Sequence, residues 1–230
     1  MMSINPDNHE EFQKDNSKAN KISQWYRQLL SIAGWLILLT AVILALRPIS
    51  HPTLVVVNRR NPHKGPLSAP ATIVEFGDFA CTVCGVWNES GILEKIINKY
   101  GDQVRFVWAD SPAVTLNSSK AAEAARCAYD QGKFWEYHDY LFSHMEMLGV
   151  NDLKVYANFL GLDQTQFDQC LDSGARAEEV NNDFKDAVKR DITVLPTFYI
   201  QSALSETRLV GPPSYELLVS VIDPILAGKP

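Results

Sequence analysis

The stretch VEFGDFACTVC, from Val74 to Cys84, decides how this chain is read. It continues an apolar β-type run, Ala71 to Gly77, and ends in two cysteines at the start of a helical pattern from about Thr82 to Tyr100. Residues three apart on a helix have side chains ~5–6 Å apart, a spacing that suits a disulfide able to open and close without backbone movement. Cys81 stands where the helix presents unpaired N–H groups and a partial positive charge, which stabilise a thiolate. A stabilised Cys81 thiolate is a better leaving group, so the disulfide is more oxidising. A static disulfide would use the same two residues. So would half of a zinc site completed by Cys127 and Cys170, or by His138 and His144, and the CxxC pattern alone does not choose. Glu75 lies on the strand between Val74 and Phe76, where it is either an exposed strand residue or a buried carboxyl; buried, it would have a raised pKa and could relay the proton of Cys84.

Working outward, Gln103–Trp108 is a second strand, so the chain opens its folded part with a βαβ unit and a parallel strand pair. From about 117 to 190 the apolar spacing is helical, broken at Gly132, Gly149, Gly161 and Gly174 into four or five short helices. Strand signals return at Thr197–Ile200 and Arg208–Val210, and an amphipathic helix runs from about Ser214 to Leu226. Phe134, Tyr137, His138 and Leu141 share one helical face and read as core, with His138 a satisfied core histidine.

The amino-terminal part is of another kind. Leu29–Leu46 is eighteen residues without a charge, bounded by Arg27 and Arg47, with Trp25 and Tyr26 at an interfacial position. A helix of that length nearly spans a ~30 Å hydrocarbon core. It begins late and ends in a poor cleavage site, so it reads as an uncleaved anchor at 29–46 after a tail at 1–28; the flanking charges nearly balance, so reading that tail as cytoplasmic rests on the placement of all four cysteines beyond the anchor. Residues 47–70 carry five of the twelve prolines and read as a semi-extended linker, with the folded domain at 71–230. The 230 residues carry a formal charge of −6, but residues 1–70 hold eight Lys/Arg against four Asp/Glu. The remainder is therefore an acidic domain, which excludes a nucleic-acid binder, because such a protein needs positive charge to displace counterions.

The Val74–Cys84 stretch resembles the strand, loop and helix of the DsbA-like thiol:disulfide oxidoreductases, a branch of the thioredoxin superfamily. The segment Ala121–Phe142 is similar to the start of that family's inserted helical domain, and Leu160–Gly174 to a later part of it. Val194–Phe198 looks like the loop that carries a cis-proline opposite the active disulfide. The resemblance covers roughly residues 64–226. It implies an α/β thioredoxin-like fold with a helical insertion at about 115–190, and disulfide exchange with cysteine-containing protein substrates through Cys81 and Cys84. Pro196 would be the cis-proline, with the backbone of Leu195 facing the sulfurs and pairing with substrate in a strand-like way. Thr82 and Val83 stand where members commonly have proline and often histidine or tyrosine. Leu195 stands where they usually have threonine or valine. These positions therefore bear on redox poise and substrate fit. No metal or organic cofactor is required. A separate quinone-linked membrane partner would re-oxidise the protein, and the catalytic domain would lie on the periplasmic or extracytoplasmic side of the cell membrane. Cys127 and Cys170 are similar to a structural disulfide of some relatives, and closure of such a pair is expected in an oxidising compartment.

Overall fold

The computed structural model describes residues 61–228, together with Trp35. Apart from Trp35, the candidate anchor at 29–46 lies outside the described residues, as does the tail at 1–28. Among the described residues no helix is long and apolar enough to cross a membrane.

The fold is built on β2 (Ala71–Gly77), every residue of which is buried. A strand covered on both faces reads as a continuous run rather than an alternation, and ATIVEFG is such a run. It pairs in parallel with β3 (Val104–Asp110) and antiparallel with β4 (Thr197–Gln201). The short β1 (His63–Lys64) borders β3 and β5 (Glu206–Val210) borders β4, giving the order β1-β3-β2-β4-β5. Residues 61–70, read from their prolines as the end of a linker, therefore belong to the folded domain. Asn61 is buried there, and its Nδ2 donates to the carbonyl of Trp108 at 3.1 Å. Proline density signals a lack of regular ladder hydrogen bonds, and a two-residue edge strand needs few.

The helical stretch expected over 82–100 is two helices, α1 (Thr82–Glu89) and α2 (Ile92–Tyr100). Ser90 closes α1, and Gly91 takes φ of 67°, a left-handed conformation that glycine adopts without steric cost. The insertion comprises α3 (Ser118–Asp130), α4 (Phe134–Phe142), α5 (Val150–Phe159), α6 (Gln164–Ser173) and α7 (Ala177–Lys189), and α8 (Tyr215–Leu226) follows β5.

Three apolar clusters hold these layers. Ile73, Phe106, Phe198 and Ile200 of the sheet meet Trp87 of α1, Leu93 and Ile96 of α2, and Leu218 and Ile222 of α8. On the opposite face Val74, Phe76, Val107 and Tyr199 meet Ala187 of α7. The largest cluster is that of the insertion, and it contains Phe79, Cys81, Cys84 and Trp108 as well as the inward faces of α3, α4, α5 and α6. Phe134, Tyr137, His138 and Leu141 are all buried.

Cys127 of α3 and Cys170 of α6 form a disulfide with Cα atoms 5.9 Å apart, closing a separation of 43 residues. It ties the first helix of the insertion to the fourth. By the chain-entropy model such a loop is worth about 4 kcal/mol. Replacing both cysteines with serine should lower the unfolding free energy by about that amount in urea titrations, while the circular dichroism of the folded protein stays unchanged.

Candidate active site

The site forms where β2 ends. Gly77 brings the chain against the indole of Trp108, where a Cβ would lie 2.3 Å from Cη2, so no side chain fits at that position. Asp78 then fixes the loop. Its Oδ1 accepts from the backbone N–H of Ala80, and its Oδ2 accepts from those of Ala113 and Val114, each at 2.8 Å. The next turn places Cys81 as the N-cap of α1, at φ −86° and ψ 107°, with its Sγ 3.3 Å from the backbone nitrogen of Cys84. A helix N-cap is a position for an acceptor that satisfies an orphan N–H, and here sulfur takes the role that serine or aspartate usually plays.

The two cysteines are free thiols here and stand in unlike surroundings. The hydrogen bond from the Cys84 thiol is the largest influence on Cys81. With the N–H groups of Cys84 and Val83, and against the cost of burial and the nearby charge of Asp78, it lowers the Cys81 pKa to about 7. Cys84 has no exposed surface, and the same thiol–thiol bond, burial and the charge of Glu75 push its pKa strongly upward. Thr82 and Val83 are exposed on the first turn of α1. No acidic side chain stands in that turn to oppose the thiolate.

Glu75 is buried, between Trp108 and Phe198 in register across the sheet, on the face that α1 covers. Burial first, and the Cys81 charge second, raise its pKa well above the ordinary carboxyl value. The Leu195–Pro196 bond is cis. Thr197 opposes Phe76 in the ladder, so Pro196 adjoins the end of β2 from which the chain runs to Cys81. Leu195 is partly buried against the cluster that holds both sulfurs. The structure thus gathers Cys81, Cys84, Glu75, Thr82, Val83, Leu195 and Pro196 at one end of the sheet. Cys127 and Cys170 pair with each other within the insertion, so they do not complete a four-ligand site with the CxxC.

Sequence reasoning passed over two features. Asp78 stood inside the quoted motif, yet only its position before a helix start hinted that it would satisfy backbone donors. The second is a buried ion cluster behind Trp108. Arg126 of α3 bonds the carboxylates of Asp110 and Asp183, Asn61 donates to Asp183 at 2.9 Å, and the Trp108 indole donates to Asp110 at 2.7 Å. An arginine within the alanine-rich face AAEAARCA was its one signal.

The family described as Thioredoxin matches residues 58–223. Among solved structures, oxidised BdbD from Bacillus subtilis has a TM-score of 0.66 at 26% identity, over 74% of this chain and 94% of that one. Wolbachia pipientis alpha-DsbA1 has a TM-score of 0.66 at 20% identity, over 76% of this chain and 95% of that one, a likeness of fold. Among curated proteins, the Na(+)/H(+) antiporter NhaA 3 of Salinispora tropica is 34% identical over 161 residues, which are 69% of this chain and 24% of that protein. The chain thus spans about a quarter of the length of that relative.

Two outcomes follow from the electrostatics. Alkylation of Cys81 should rise with pH through a midpoint near 7, where an ordinary thiol would respond near 9, because only the thiolate reacts. Glu75→Gln should raise the Tm at pH 7 and leave it nearly unchanged near pH 3. Above the ordinary carboxyl pKa, unfolding lets Glu75 release a proton that the folded state retains, so the native residue costs stability as pH rises, and glutamine removes that cost.

Proposed function

This chain belongs to the Thioredoxin family, and we propose that it is a membrane-anchored thiol:disulfide oxidoreductase acting on extracytoplasmic proteins, chiefly to form disulfides. The observation that carries the reading is the asymmetry of the two sulfurs. Cys81 is an N-capping sulfur with a lowered pKa at the domain's sheet end, and Cys84 is a buried thiol with a raised one, near a buried carboxyl whose proton affinity is also raised.

With the cysteines joined, a substrate thiolate attacks Sγ of Cys81. The new sulfur–sulfur bond forms as the Cys81–Cys84 bond breaks, and its electron pair leaves on Cys84. The high proton affinity of Cys84 means that it takes a proton as it leaves, and Glu75, whose own proton affinity is raised, is the proposed acid. A second substrate thiolate then attacks the substrate sulfur of the mixed disulfide. Cys81 departs as a thiolate, a good leaving group because its pKa is low. The substrate has lost two electrons and the CxxC has gained them. In reverse, Cys81 attacks a substrate disulfide and Cys84 resolves the intermediate, the direction a reductase or isomerase would use. The backbone at Leu195 offers an extended substrate a strand-like partner, and Val194, which is 49% exposed, flanks it. The sulfurs supply the redox chemistry without a metal or organic cofactor, and a quinone-linked membrane protein is the proposed re-oxidant. The uncharged run Leu29–Leu46 supports the anchor.

Trapping in intact cells tests this reading. Cys84→Ser should accumulate mixed disulfides on Cys81 that a membrane-impermeant reductant dissolves, and Cys81→Ser should trap none and exchange none while keeping its fold. An active Cys81→Ser protein sinks the mechanism, and mixed disulfides reached only after lysis sink the extracytoplasmic placement.

A further inference from the structure

We propose that His138 is a positioning residue for the redox turn, latched through Asp139 to Asn88 of α1 and packed against Phe79, two residues before Cys81. The inference rests on the reading of Cys81 as the reacting sulfur.

His138 lies on α4, in the insertion, and its side chain is 2% exposed. Five aromatic rings enclose it, with centroids at 4.8 Å for Trp108, 4.9 Å for Phe142, 5.2 Å for Trp135, 5.5 Å for Phe79 and 5.6 Å for Phe134. Its Nδ1 is 2.8 Å from Oδ1 of Asp139, and among the described residues its Nε2 has no hydrogen-bond partner. Packing alone would be served better by phenylalanine, which fills an aromatic cage and leaves no polar atom unpaired. What histidine adds is the Nδ1 bond. Burial pushes the Asp139 carboxyl up, but the bonds from His138 and Asn88 outweigh it and keep the group ionised, so Nδ1 is the donor.

That bond is joined to the redox helix. The same Oδ1 of Asp139 accepts from Nδ2 of Asn88 at 3.3 Å, near the end of α1. At the other end of the turn, Phe79 stacks on Trp108 and presents its ring to His138 two residues before Cys81. Phe142 approaches Gly85, where a Cβ would stand 3.4 Å from its Cδ1. His138 therefore touches the Phe79 ring that precedes the cysteines and the Phe142 ring that approaches Gly85 of α1, while Asp139 bonds the helix that carries them. The Cys81 thiolate depends first on the Cys84 thiol and then on the N–H groups of Cys84 and Val83, and the aim of all three at its sulfur is set by where α1 sits relative to the Phe79 loop. Cutting the latch lets α1 and the loop move independently, which weakens those bonds and favours the joined disulfide over the dithiol.

The test uses the full chain in detergent, with the ultraviolet absorbance of the thiolate followed against pH and the dithiol equilibrated against glutathione. In His138→Phe the Cys81 midpoint should rise from about 7 by roughly 0.5. At a pH well above both midpoints the equilibrium should move about threefold toward the disulfide, with no fall in Tm. Asn88→Ala should shift both readouts in the same direction by less, and the double variant should match His138→Phe, since both residues act through Asp139. An unchanged midpoint in a His138→Phe protein of undiminished Tm overturns the proposal. Should that variant lose Tm, Asn88→Ala decides, because its bond to Asp139 lies at the surface, and an unmoved Cys81 midpoint there overturns it equally. A native protein whose Cys81 fails to titrate near 7 and to exchange disulfides defeats the oxidoreductase reading instead, before any variant is made.

Discussion

Everything at this site depends on one hydrogen bond in an unusual place, the backbone N–H of Cys84 donated to the sulfur of Cys81. A helix begins with donors that have no partner inside it, and the chain ends its first long strand so that a sulfur, rather than an oxygen, meets one of them. This cap begins α1 and at the same time stabilises the thiolate. It needs the strand to stop at Gly77 under Trp108 and the loop to be gripped by the carboxylate of Asp78.

The second constraint is burial. Cys84 and Glu75 are both buried, and burial raises their proton affinities, for Cys84 after the thiol–thiol bond to Cys81. Raised proton affinity at a carboxyl and a nearby sulfur is a consequence of low dielectric, and no exposed pair of the same residues would behave so. The insertion is therefore more than an ornament on the sheet. Its apolar core is continuous with the residues around the redox turn, and the Arg126 cluster binds α3 and α7 to the end of β3 behind Trp108.

Much of this was legible beforehand, for identifiable reasons. The run Ala71–Gly77 announced a central strand because a strand covered on both faces must be apolar throughout. The helices at 118–189 were legible from periodicity and glycine stops. The expected single helix over 82–100 divides at Ser90–Gly91 because a left-handed glycine ends one helix and opens the next, a choice that the packing of Leu93 and Ile96 against the sheet makes and apolar spacing does not reveal. The proline-rich residues 61–70 looked like a spacer because the bonds that hold Asn61 run to Trp108 and Asp183, 47 and 122 positions away.

By itself the sequence determined where the two sulfurs stand: a strand–CxxC–helix places them within bonding reach at a helix terminus, a local consequence of helical geometry and of the terminal dipole. Only the tertiary structure decided their unequal character. The burial of Glu75 between Trp108 and Phe198, the bonds of Asp78 across to Ala113 and Val114, and the joining of Cys127 to Cys170 all depend on which distant segments close over the site. Proton affinity and polar satisfaction are properties of the enclosed environment, and that environment is assembled from residues far apart in the chain.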